Sequence, residues 1–197
     1  MKPRRKTIGI FGGSFNPVHN GHIALAKAIV ASGEVDEVWL TLSPQNPFNK
    51  SKTLADDVHR LAMLHLAVDG EEGLEVCDVE LSLPRPSYTI NTLRHLTSER
   101  PDCRFRLIVG ADNYAVFDRW REHDRLIADY GRIGYPRQGF DAEAGEQGVT
   151  IVEAPLYDVS STEIRAAIAD GDDFSTMVPS SVADYIKENK LYGYGRE

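Results

Sequence analysis

Apolar residues run along this chain in short blocks separated by glycine, proline and acidic turns. Their period switches between strand-like alternation and helical spacing. Thr7-Ile8-Gly9-Ile10-Phe11 reads as a short buried strand that Gly12-Gly13 ends. From Asn20 or Gly21 to about Ser32 the spacing is helical, with Leu25, Ala28 and Ile29 on one face and Asn20 as N-cap. Val38–Leu42 is a second strand, broken by Ser43-Pro44-Gln45-Asn46-Pro47. Asp56 or Asp57 can cap a helix that carries Val58, Leu61, Ala62 and His65 on one side. Leu74–Cys77 is a third strand, and a proline-rich loop, Leu83-Pro84-Arg85-Pro86, leads into a short helix from about Thr89 to Thr97. Phe105–Val109 is a fourth strand ending at Gly110, and Arg132–Tyr135 and Thr150–Val152 are two more. The glycine-rich, acidic stretch from Gln138 to Gly148 reads as an exposed loop. Two helices, about Ser161–Asp170 and Pro179–Asn189, follow it.

Strands alternating with helices predict an α/β fold: a doubly wound, Rossmann-like parallel sheet with helices on both faces and a small C-terminal helical segment. No repeat or linker divides the chain. The expectation is therefore a single domain over 1–197, with the helices from about 161 packed on it. Such sheets bind ligands at the carboxyl ends of their strands, near the point where strand order reverses.

Composition narrows the function. The chain has 197 residues, 42% hydrophobic and 26% charged, enough to bury a core. A net charge of −8 argues against general binding to nucleic acid or to an anionic membrane, both of which repel it at long range. Cys77 and Cys103 form no CxxC pair and no zinc-like cluster, so two reduced thiols are expected. The basic start is followed by too short an apolar stretch for a signal peptide or membrane span, and the expected location is the cytoplasm.

Three segments carry candidate chemistry. Gly12-Gly13-Ser14-Phe15-Asn16-Pro17-Val18-His19-Asn20-Gly21-His22 follows the first strand. Its glycines let backbone approach a phosphate, and the next helix aims its partly positive N-terminus at the same place. If the turn enters that helix at Gly21, His19 and His22 both face the pocket and donate to charge developing on a transferring phosphoryl group. The segment is neither a dinucleotide fingerprint nor a P-loop. Val159-Ser160-Ser161-Thr162-Glu163-Ile164-Arg165 holds a capping box, Ser160 with Glu163. Its plainer role is that cap alone. Its functional reading adds hydroxyls, free N–H groups and Arg165 at one helix start, a cradle for triphosphate oxygens. Ser87-Tyr88-Thr89-Ile90-Asn91-Thr92-Leu93 is either another helix start or a set of small polar groups beside an aromatic, suited to a heteroaromatic ring bearing a carboxylate. Trp120 is either core or a second aromatic platform. Asp112, after Gly110, either accepts from a ribose or caps a helix. Lys50 and Arg137 are candidate phosphate partners or solvated surface.

Together these segments resemble the bacterial nicotinate-nucleotide adenylyltransferases, from Ile8 to about Tyr192. Gly12–His22 resembles the signature of the wider HxGH nucleotidyltransferase superfamily, and Val159–Arg165 resembles its second signature. Ser87-Tyr88-Thr89 with Thr92-Leu93, Phe117-x-x-Trp120, and the ending Val178-Pro179, Tyr185-Ile186, Leu191-Tyr192 are similar to the nicotinate-nucleotide branch. The resemblance implies transfer of AMP from ATP to nicotinate mononucleotide, giving nicotinate adenine dinucleotide and pyrophosphate in NAD biosynthesis. It implies an ATP site at Gly12, Gly13, Ser14, Phe15, His19, His22, Gly110, Asp112, Ser161, Thr162 and Arg165. The acceptor would lie along Tyr88, Thr89 and Trp120, with Trp120 stacked on the pyridine. His19, His22, Lys50 and Arg165 would act on the reacting phosphates. Two positions depart from the pattern: Asn49 stands where a histidine is usual, and Asn16 where many relatives have aspartate. Mg²⁺ is expected to arrive with ATP, with no carboxylate cage of its own. ATP and nicotinate mononucleotide are the expected partners, and a homo-oligomer is compatible with them. The alternatives are another adenylyl- or cytidylyltransferase of the superfamily, such as the phosphopantetheine enzyme, and a non-catalytic nucleotide-binding module. A tRNA-charging enzyme also carries an HxGH-like turn, but this chain is short and acidic.

Overall fold

The computed structural model describes residues 4–44, 54–110, 113, 116–136, 149–154 and 159–195. Among the described residues six strands form one sheet: β1 (Lys6–Gly13), β2 (Glu37–Leu42), β3 (Leu74–Cys77), β4 (Cys103–Gly110), β5 (Arg132–Tyr135) and β6 (Val149–Ile151). Their spatial order is β3-β2-β1-β4-β5-β6, and every pairing is parallel. The longer helices are α1 (Asn20–Ala31), α2 (Asp57–Val68), α3 (Thr89–Glu99), α4 (Ser161–Asp170) and α5 (Ser180–Glu188).

Strand alternation sends neighbouring side chains to opposite faces, and each face is covered. Phe11, Val38, Leu40, Leu42, Ile108 and Ile133 pack with residues of α1, α2, α4 and α5. Ile8, Ile10, Phe105, Leu107 and Val109 pack on the other side with Ile90, Leu93 and Leu96 of α3. The register places Ile8 beside Phe105 and Ile10 beside Leu107. Between the strands Gly9 permits a close approach: a Cβ there would sit 2.8 Å from Ile108 Cδ1. The C-terminal helices join the larger core through Ile164, Ile168, Val182, Ala183 and Ile186.

Three local expectations are corrected. The glycines do not end β1. Gly12 and Gly13 stay in the ladder opposite Thr41 and Leu42, because β2 runs equally far and its bonds hold them extended. The N-cap of α1 is His19, one residue before Asn20; Asn20 instead bonds to the carbonyls of Thr176 and Met177. In α2 the side bearing Val58, Leu61, Ala62 and His65 is not the core side: Val58 is 67% exposed and His65 exposed, while Leu61 packs only partly buried at the core's edge. The core side is Arg60, Met63, Leu64 and Ala67, so a cation occupies one position of the apolar stripe.

The helix expected from about Thr89 runs on past Thr97 to Glu99, and the strand expected at Thr150–Val152 lies at Val149–Ile151. The loop expected at 138–148 falls outside the described residues.

Candidate active site

β1 and β4 are neighbours from which the chain continues in opposite directions, so the crevice opens at their carboxyl ends. Gly12 and Gly13 from β1 and Gly110 from β4 line it. A Cβ on Gly12 would meet nothing within 4 Å, so the missing side chain keeps the crevice mouth clear for a ligand.

Past Gly13 the chain turns sharply. Phe15 takes a left-handed conformation, φ 43°, and buries its ring under the turn. That ring supports His22 edge-on at 5.0 Å between centroids, and His22 stacks on His19 at 3.6 Å. The His19 N–H donates to His22 Nδ1 at 3.2 Å. Nδ1 is therefore the acceptor nitrogen of a neutral ring, which leaves the proton on Nε2. His19 is buried and His22 half-buried. Both stand at the start of α1, where backbone N–H groups lack helical partners.

The second signature docks onto this turn. Ser160 and Glu163 form the expected capping box: the Glu163 N–H donates to Ser160 Oγ at 3.2 Å, and the Ser160 N–H donates to Glu163 Oε2 at 2.8 Å. The Ser160 hydrogen bonds hold the exposed Glu163 carboxyl below its ordinary value. One residue on, Ser161 Oγ donates to the Pro17 carbonyl at 2.9 Å. Arg165 Nη1 donates to the carbonyls of Asn16 at 2.8 Å and Ser161 at 3.0 Å, and Nη2 to Thr162 Oγ1 at 3.3 Å. Two helix N-termini thus meet at one turn, a concentration of positive potential with histidine and guanidinium donors.

The acceptor candidates form the other wall. Ser87, Tyr88, Thr89, Trp120 and Arg121 line the crevice with Gly12, Gly13 and Gly110. Trp120 is half-buried, its ring 5.1 Å from Phe117, and the Arg121 guanidinium lies 4.9 Å over the Tyr88 ring. The crevice therefore offers an aromatic wall with a cation beside it, suited to a flat anionic ring.

Lys50, Asn49, Asp112 and Arg137 lie outside the described residues. His19, His22, Ser161, Thr162 and Arg165 come together at the turn, and Gly12, Gly13, Gly110, Tyr88, Thr89 and Trp120 at the crevice. Ser14 and Phe15 contribute backbone and support: the Ser14 carbonyl turns inward to Arg60 at 2.6 Å.

Residues 10–167 match the cytidylyltransferase-like family. A protein of Bacteroides fragilis named "Probable nicotinate-nucleotide adenylyltransferase" is 44% identical over 88% of this chain and 88% of its own length. The chain belongs to the nicotinate-nucleotide adenylyltransferase family. A relative of the same name from Bacteroides thetaiotaomicron is 41% identical over 91% of this chain and 90% of its own. The fold also matches a Plasmodium falciparum nicotinic acid mononucleotide adenylyltransferase complexed with NaAD, at a TM-score of 0.82 and 20% identity, covering 98% of this chain and 100% of that one. The doubly wound sheet expected from the sequence is thus the fold of this adenylyltransferase family.

Four residues around this adenylyltransferase crevice were not legible as candidates: Arg60, Ser43, Glu80 and Arg121. Arg60 carried a signal, a charge inside the apolar spacing shared with Met63, Leu64 and Ala67. Ser43 and Glu80 carried none, because their significance lies in contacts between distant segments.

Proposed function

We propose that the chain transfers the AMP moiety of ATP to nicotinate mononucleotide, forming nicotinate adenine dinucleotide and releasing pyrophosphate. The observation that supports this reading best is the meeting of two helix starts at a glycine turn whose crevice is walled by Tyr88 and Trp120. A phosphate oxygen of the acceptor attacks the α-phosphorus of ATP in line, and the bond from that phosphorus to the bridging oxygen of pyrophosphate breaks. The acceptor phosphate is already ionised near neutrality, so no general base is needed. Positioning and charge stabilisation supply the rate.

His22, whose proton sits on Nε2 because Nδ1 accepts from backbone, is the main donor to the transition state, and His19 lies against it. Arg165 keeps its Nη1 protons on the Asn16 carbonyl of the turn and the Ser161 carbonyl of its own helix, so its remaining donors, with the Ser161 N–H and the Thr162 hydroxyl, serve the departing pyrophosphate. Lys50 assists there, and Gly110 and Asp112 lie against adenosine. Tyr88, Thr89 and Trp120 hold the nicotinate nucleotide. The groups at the turn are histidines, hydroxyls and a guanidinium, a set that suits anions and not a resident cation. Mg²⁺ is therefore part of the substrate, carried on ATP phosphate oxygens and water. No helix among the described residues is long and apolar enough to cross a membrane; we place the enzyme in the cytoplasm, working as one domain.

Pyrophosphate release is measured with ATP and each of three acceptors: nicotinate mononucleotide, nicotinamide mononucleotide and phosphopantetheine. Release with nicotinate mononucleotide at a kcat/KM well above the other two is expected. Preference for phosphopantetheine assigns another member of the superfamily, and no release with any acceptor assigns a binding module.

A further inference from the structure

Beneath the crevice floor a set of buried polar groups is used by none of the roles above. Arg60 of α2 has a side chain with 0% exposure. A guanidinium so placed must satisfy its donors inside the protein, or its burial would be prohibitive. It does so on three carbonyls from separate segments: Ala55 at 2.9 Å, Ser14 at 2.6 Å and Ser43 at 3.0 Å. The Asp57 carboxylate completes the set at 2.5 Å. Asn16 Oδ1 adds a parallel tie, accepting from the Ala55 N–H at 3.0 Å. The phosphate turn is therefore fastened from below through Ser14 and Asn16.

Ser43 is where this fastening meets the acceptor wall, and all three of its polar groups are engaged. Its N–H donates to the Gly13 carbonyl at 2.9 Å, its carbonyl accepts from Arg60, and its Oγ donates to Glu80 Oε2 at 2.9 Å. Glu80, only 6% exposed, accepts on Oε1 from Thr92 Oγ1 of α3 at 2.9 Å. The start of α3 presents Tyr88 and Thr89 to the crevice. A continuous path thus runs from the Gly13 and Ser14 carbonyls through Ser43 and Glu80 to Thr92. One end carries the phosphate turn and the other the acceptor wall.

We propose that Ser43 is a positioning residue for the transfer, the joint that holds the ATP side and the acceptor side in register. This rests on the assignment of the two walls made above. In-line transfer between two bound substrates depends on the distance and angle between them, and a displacement of about 1 Å can cost about a hundredfold in rate. Ser43 and Glu80 also border the crevice between the two walls, so a direct contact with substrate would appear in KM, whereas a joint acts on the rate. Loosening it misaligns the pair while each wall still binds its own ligand.

The test uses Ser43→Ala, which deletes one oxygen, and Thr92→Val, which keeps the side-chain shape and removes the α3 hydroxyl that bonds Glu80. Single-turnover rates of dinucleotide formation and KM for each substrate are measured for wild type, both single variants and the double variant. Wild-type activity with ATP and nicotinate mononucleotide is established first; its absence would reject the functional assignment and not the joint. Each single variant is expected to lose about tenfold in single-turnover rate, with both KM values within about threefold of wild type. Because the two bonds act in series, the double variant should be no slower than about the slower single. A folded Ser43→Ala protein with the wild-type rate overturns the proposal. So do losses that multiply in the double variant, or losses confined to KM or to Tm.

Discussion

A single backbone hydrogen bond decides what His22 can do. The His19 N–H occupies Nδ1, so the neutral ring has one proton, on Nε2, and one direction in which to donate it. The rings of Phe15 and His19 hold that direction from two sides. A donor fixed before the reaction costs no reorganisation when charge develops, and loss of one such donor typically costs about a hundredfold or more. His22→Ala is therefore expected to lower kcat at least about a hundredfold, with a circular dichroism spectrum like that of wild type. Near-normal turnover in that folded variant would remove His22 from the mechanism. The histidine pair was legible because its chemistry is written in adjacent letters after a glycine turn. Arg60 was not read as buried, because two of the carbonyls that satisfy it, those of Ser14 and Ser43, lie far from it in sequence.

At the level of elements, α4 shows how a local signal carries functional weight. Its capping box was readable as Ser160 followed by Glu163 three positions on, and it forms as expected. What the letters do not contain is where the helix start lands. Ser161 and Arg165 reach back across most of the chain to the carbonyls of Pro17 and Asn16. Ser160→Ala should therefore have two effects. Loss of the cap costs about 1 kcal/mol, which lowers Tm by about 2–4 °C in a chain of this size. Fraying of the first turn also loosens Ser161 and Arg165, so KM for ATP should rise while KM for the acceptor stays near wild type. Thermal melts and initial rates with each substrate varied in turn check both, and an equal rise in the two KM values would separate the cap from the ATP side. For α2 the reverse held. Its exposed positions, with Val58 and Leu66, were as apolar in the letters as its core side. Only contact with the sheet shows that Arg60, Met63, Leu64 and Ala67 turn inward.

For the whole molecule, alternation of strands and helices was enough to predict the parallel sheet, because a βαβ crossover leaves few ways to bury both faces. The pairing that makes the crevice, β1 against β4, needed the structure, and so did the buried path beneath it. That path leaves a global signature through Glu80. Burial pushes its carboxyl above the ordinary carboxylate value, and the hydroxyls of Ser43, Thr92 and Ser87 only partly offset this. A carboxyl with a raised folded-state pKa binds its proton more tightly in the native than in the unfolded protein. Its contribution to stability is then fully present below the unfolded value of 4.5 and is lost as pH rises through the folded one. Asp36, Asp102, Glu122, Glu163 and Asp173 are shifted downward, so they act in the opposite sense: their contributions are lost as pH falls. In wild type the two trends overlap. Glu80→Gln removes one and leaves the other, so subtracting the two Tm profiles isolates Glu80. The substituted amide does not titrate, and its altered hydrogen bonding adds only a pH-independent offset. The Tm of the variant minus that of wild type is expected to increase as pH is raised from about 4.5 toward neutrality. A difference that stays flat over that range would mean that Glu80 keeps its ordinary pKa in the folded chain. A difference that decreases would mean that the hydroxyls around Glu80 outweigh burial and hold the carboxylate ionised.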